Sequence, residues 1–163
     1  MNRIFTLLAF LLLFGFSQLQ AQNAPITFIE TIYTDEQQFT LAIRASNFIN
    51  IGGGSLNLNY DAAIVSATAI SLGPGLDSYF NFNKNIGQAG IITASFYHRG
   101  STLSLPDNSI IYTISFSRSS IGSTAILPVN NPDDGCLWMD GNYNELNQTP
   151  FSEYYNTGYI ITQ

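Results

Sequence analysis

Charge is scarce in this chain of 163 residues. Asp, Glu, Lys and Arg together make up 10%, against roughly 25% in an average soluble domain. Only five Lys and Arg stand against eleven Asp and Glu, for a net charge of −6. Binding nucleic acid draws on a basic patch that releases counterions, and there is no material here to build one. With one His and one Cys, neither a His-rich metal site nor an internal disulfide can be assembled. Cys136 reads as a small buried hydrophobe rather than a nucleophile. No Gly-x-Ser-x-Gly, His-Glu-x-x-His or Lys-bearing phosphate loop occurs, and the carboxylates are scattered along strand ends and turns. Acid–base catalysis needs paired groups of tuned pKa. The expectation is a protein that is not an enzyme and carries no cofactor.

Apolar and neutral polar residues fill the space that charge leaves. Hydrophobic residues make up 45%, with 19 Ile, and Ser, Thr, Asn and Gln number 53. Disordered chains combine low hydrophobicity with high net charge, so disorder is excluded. Arg3 precedes an apolar run over residues 4–16, interrupted only by Thr6 and Gly15, and Ser17-Gln18-Leu19-Gln20-Ala21 follows. These three parts spell a secretory signal peptide, cleaved after Ala21. The run falls short of the about 20 apolar residues that span a bilayer. Residues 1–21 are therefore expected to be removed, leaving 22–163 as one secreted or extracytoplasmic domain, monomeric and not inserted in a membrane.

Alternation of period two recurs along residues 22–163, and no window shows a 3.6-residue helical period. Nine strands are predicted, at residues 26–33, 39–45, 55–60, 64–72, 79–82, 91–97, 110–116, 123–127 and 158–162. Gly, Pro, Asn and Asp punctuate them, with Gly52-Gly53-Gly54 read as a break or bulge before the third strand. Short strands at this spacing specify an all-β sandwich. In the third strand Leu56, Leu58 and Tyr60 share one face, so Ser55, Asn57 and Asn59 share the other. In the sixth, Ile92, Ala94 and Phe96 face the core while Thr93, Ser95 and Tyr97 face out.

Two segments carry a resemblance to a known family. Ser55-Leu56-Asn57-Leu58-Asn59-Tyr60-Asp61, running straight into a fourth strand, resembles the cohesins. So does Leu105-Pro106-Asp107-Asn108-Ser109-Ile110-Ile111-Tyr112-Thr113-Ile114-Ser115-Phe116, and the terminal Gly158-Tyr159-Ile160-Ile161 strand fits the same plan. The resemblance covers residues 26–162. It implies a single nine-stranded sandwich of jelly-roll, cohesin-like topology, without catalysis. It further implies a protein partner of the dockerin type, bound on a sheet face that includes the third, fifth, sixth and eighth strands.

On that plan Ser55, Asn57, Asn59, Thr93, Ser95 and Tyr97 form one shallow polar surface with Tyr97 as its aromatic anchor. An alternative is a carbohydrate-binding module of a polysaccharide-degrading or adhesion system. Trp138, Tyr143, Tyr154 and Tyr155 would then be its stacking platform. A third candidate, Asp140-Gly141-Asn142-Tyr143-Asn144-Glu145, matches the first ligand positions of a calcium loop. It has Glu145 where the turn glycine belongs and Phe151 where the bidentate carboxylate belongs. A solvated acidic loop, with no metal, is expected there.

Overall fold

The computed structural model describes residues 22–163; the expected signal peptide lies outside them. Eleven strands form two sheets. They are β1 (Ile26–Ile29), β2 (Ile32–Thr34), β3 (Gln38–Ser46), β4 (Ile51–Asn59), β5 (Val65–Leu72), β6 (Phe80–Asn85), β7 (Ile91–His98), β8 (Ser109–Arg118), β9 (Gly122–Pro128), β10 (Leu137–Asp140) and β11 (Gly158–Thr162). One helical turn, α1 (Phe151–Tyr154), precedes β11. One sheet has the order β1-β3-β8-β5. The other runs β2-β11-β9-β4-β7-β6, with β10 added on β4. The all-β sandwich expected from the alternation is what the chain forms, and all nine expected strands are present.

Parity accounts for the packing. Leu41, Ile43 and Ala45 of β3 and Tyr112, Ile114 and Phe116 of β8 face Leu56 and Leu58 of β4 and Ile92, Ala94 and Phe96 of β7, all buried. Aromatic rings join the layers. Phe96 sits 4.4 Å from Phe80, 5.8 Å from Trp138 and 5.9 Å from Tyr112, centroid to centroid. Offset and edge contacts of this kind favour aromatic packing beyond the area it buries.

Three details differ from the expectation. The first strand is two: it leaves the four-stranded sheet after Ile29 and re-forms as β2, parallel to β11 in the other sheet. At the crossing the Asn156 side chain stands in for a neighbouring strand. Its Oδ1 accepts the Ile29 N–H at 2.6 Å and its Nδ2 donates to the Ile29 carbonyl at 3.4 Å. Gly158 lets the crossing chain close in, since a Cβ there would lie 2.4 Å from Ile29 Cγ2.

Second, Gly52-Gly53-Gly54 is not a break but the first half of β4. A Cβ on Gly54 would sit 2.8 Å from Trp138 Cε3, so the glycine admits a large ring beside the strand. Third, the stretch between the eighth and ninth expected strands, where none was expected, contains β10, which pairs antiparallel with β4 from Leu137↔Ser55 to Asp140↔Ile51. Trp138 anchors it, donating Nε1–H to Thr27 Oγ1 at 3.1 Å.

Candidate functional site

The outer face of the seven-stranded sheet is built by the parity that fills the core. Antiparallel register sets Asn57 opposite Thr93, Ser55 opposite Ser95, and Gly53 opposite Tyr97. On β6 the same rows continue with Asn85, Asn83 and Asn81, paired to Thr93, Ser95 and Tyr97. On the other side Leu137 and Met139 of β10 pair with Ser55 and Gly53. All six residues expected at a partner-binding surface thus lie on one face of adjacent strands. Asn59, Thr93 and Tyr97 are exposed, Tyr97 to 43%, while Ser55 and Ser95 are half-buried.

Asn57 departs from the expectation: it points outward by parity, yet it is only 8% exposed. The cause is an excursion of the chain. β9 pairs with β4 at Leu58↔Pro128 and Asn59↔Leu127; residues 130–135 then rise over the face, and β10 resumes along the same edge of β4. Carbonyls of the excursion find donors on the row beneath. Asn57 Nδ2 donates to the carbonyls of Asp134 and Gly135, and Ser55 Oγ donates to Gly135 at 2.7 Å. The base of the excursion is closed by Val129 N–H donating to the Asn57 carbonyl at 2.9 Å and Asn57 N–H donating to Cys136 Sγ at 3.3 Å. Asn57 Oδ1 is buried and has no hydrogen-bond partner.

The aromatics proposed as a sugar platform mostly face inward. Trp138, Tyr155 and Tyr154 are 2%, 5% and 9% exposed. As large apolar side chains they seal the end of the sandwich where α1 and β10 close on the core. Only Tyr143 is on the surface, stacked on His98 at 5.1 Å and 12°. Burial pushes the Tyr155 and Tyr112 hydroxyls well above the ordinary tyrosine range. It pushes the Cys136 thiol up to about 11, which fits a structural cysteine and no nucleophile.

At residues 140–144 the Asp140 carboxylate is already engaged. Oδ1 accepts the N–H groups of Asn142 and Asn144 at 2.8 and 2.9 Å, and Oδ2 accepts Asn144 Nδ2 at 3.0 Å. The side-chain amide of Asn144, then its backbone N–H, holds this carboxyl below the usual range. Among the described residues no three His, Cys, Asp or Glu converge as metal ligands. No helix among them is long and apolar enough to cross a membrane.

Asn83 and Asn85 lie beyond Phe82, where the fifth strand was expected to end, and Asn81, inside that strand, was not among the expected face residues. The strict alternation Phe80-Asn81-Phe82-Asn83-Lys84-Asn85 carried the information. Also missed were Leu137, Met139 and Asp134, whose placement depends on long-range pairing with β4.

A two-sheet sandwich whose seven-stranded sheet turns asparagines, hydroxyls and an exposed tyrosine outward is the class this architecture defines. Its fold is cohesin-like. The sixth cohesin of scaffoldin B from Acetivibrio cellulolyticus, solved in complex with a Cel5 dockerin mutant, superposes with a TM-score of 0.65 at 13% identity, over 86% of this chain and 100% of that one. The type II cohesin domain from the cellulosome of the same organism gives 0.62 at 17% identity, over 85% and 95%. A non-cellulosomal cohesin from the archaeon Archaeoglobus fulgidus gives 0.62 at 12% identity, over 85% and 91%. No family model matches the sequence, and no curated protein matches it.

Proposed function

We propose that this protein is an exported, non-catalytic binding module that engages a protein partner of dockerin type through the outer face of its seven-stranded sheet. One observation carries the reading. The third, fifth, sixth and eighth strands expected from the sequence are β4, β6, β7 and β9, and they lie side by side as β9-β4-β7-β6. Those are the strands that the cohesin resemblance assigns to recognition. The outer rows of β4, β6 and β7 are polar and nearly uncharged, with Tyr97 exposed among Asn81, Asn83 and Ser95, and β9 adds the exposed Leu127. An exposed tyrosine ringed by hydrogen-bonding groups is the composition of an interface hot spot. Export rests on the charged, apolar and small-residue order of residues 1–21. The structural neighbour from Acetivibrio cellulolyticus was solved with a dockerin bound, which supports the class of partner.

Capture from the organism's exported proteins with the mature domain tests this. One dominant dockerin-bearing protein, lost with Tyr97→Ala, is the expected result. Retention on polysaccharide that is indifferent to Tyr97→Ala would refute it in favour of carbohydrate binding. That alternative keeps only Tyr143 of its four rings at the surface.

A further inference from the structure

Between the excursion and the sheet lies a groove of about 300 Å³. Asn57, Asn59, Ile91 and Thr93 line it from β4 and β7, and Val129, Asn131 and Asp134 from the excursion. Its polar groups are unevenly matched. Asn57 is more than nine-tenths buried, both of its known side-chain bonds are donations by Nδ2, and its Oδ1 has no donor. Asn131 Oδ1 is already taken by the Asp133 N–H at 3.0 Å. The exposed carboxylates of Asp133 and Asp134 have no cation near them. Each Lys and Arg among the described residues spends its donors elsewhere: Arg44 on Glu30, Lys84 on the Ile70 carbonyl, Arg99 on the Phe80 carbonyl, and Arg118 on the Asp35 and Gln163 carbonyls.

We infer that this groove receives one cationic side chain, a lysine or arginine, from the protein partner. The inference rests on the protein-binding reading and names the chemistry of one contact within it. A long cationic side chain has an apolar stem and a head that only donates. The stem matches Ile91 and Val129; the head supplies N–H groups to two open acceptors, the Asp134 carboxylate and the buried Asn57 Oδ1. Oδ1 is shielded from water by the excursion, so its donor must enter with an occupant that shifts residues 130–135 aside. A sugar fits less well, because no aromatic ring lines the groove for a pyranose to stack on. Supplying a donor to a buried acceptor and a charge to Asp134 gives the site selectivity against neutral side chains of equal length.

The test is an NMR titration of the ¹⁵N-labelled protein with N-acetyl-arginine amide and N-acetyl-lysine amide. N-acetyl-citrulline amide serves as the neutral match and cellohexaose as the sugar arm. Saturable shifts confined to the Asn57 side-chain amide and the backbone of Thr93 and residues 130–135 are expected for a cation, weakened by high salt. They should be absent for citrulline and cellohexaose. Asp134→Asn, an exposed change whose spectrum reports that the fold is intact, should weaken cation binding about five-fold. The inference is overturned if neither cation saturates, if citrulline or cellohexaose binds as well, or if Asp134→Asn changes nothing. A partner captured through Tyr97 but indifferent to Asp134→Asn also overturns it, and leaves the protein-binding reading standing. A positive titration without any captured partner leaves the groove's cation selectivity standing and overturns its assignment to a protein partner.

Discussion

The two sheets share one fold and one parity rule, yet their outer faces differ in kind. On the four-stranded sheet, serine and threonine dominate the outward rows, and some of their hydroxyls bond across strands. Ser71 Oγ lies 2.8 Å from Thr113 Oγ1, and Thr68 Oγ1 donates to the Ser115 carbonyl at 3.1 Å. On the seven-stranded sheet five asparagines, at 57, 59, 81, 83 and 85, stand in the outward rows of β4 and β6, beside a glycine stretch, an added strand and an excursion over the surface. There a buried acceptor is left without a donor and a tyrosine without a neighbour to cover it. The comparison teaches where to look for function in a sandwich of this sort: at the face where the fold leaves a buried acceptor unpaired and a large ring exposed.

Substitutions can break or sharpen that contrast. Trp138→Ala should be the most damaging. It removes a ring that packs on Phe48 and Phe96 and anchors β10 on Thr27, so a loss of about 3–5 kcal/mol in chemical denaturation is expected. Were Trp138 a sugar platform instead, stability would hold and only ligand retention would fall. Gly54→Ala follows, at about 1–3 kcal/mol, because the new Cβ drives into the Trp138 ring.

Tyr97→Ala should leave circular dichroism unchanged while costing on the order of 2 kcal/mol in partner affinity. Thr113→Val, its counterpart on the other face, gives up one exposed hydroxyl contact. It should shift stability by no more than about 0.5 kcal/mol and binding not at all.

Cys136 offers a further check on the excursion's base. With its folded pKa raised to about 11 from 9.0, the thiol contributes stability below pH 9 that is lost as pH climbs through 11. Its reaction with Ellman's reagent at pH 8 should follow global unfolding. Fast labelling of the native protein would show that the β9–β10 junction opens by itself.

The fold was readable because alternation is local: the residues that set the inward row of β4 or β7 are two apart in sequence. The facing of the six candidate residues was legible for the same reason: they lie on one face of adjacent strands, with Asn57 covered by residues 130–135. What escaped depends on partners distant in sequence. Glycine has low β-propensity, so Gly52-Gly53-Gly54 reads as a break until Trp138, 84 positions beyond Gly54, is seen lying against the strand. Burial of Asn57 depends on carbonyls 77 and 78 positions away. Nor does the row of Tyr154 and Tyr155 reveal from sequence that α1 turns both rings toward the core.

The central claim is that the asparagine-bearing face of the seven-stranded sheet, and not the hydroxyl-rich face opposite, receives a protein. Hydrogen exchange of the protein alone and with its captured partner, followed by mass spectrometry, tests this most directly. The account predicts slowed exchange over residues 53–59, 80–85 and 91–98 and none over 38–46 or 109–118. Protection centred on the four-stranded sheet, with residues 91–98 unchanged, would contradict it.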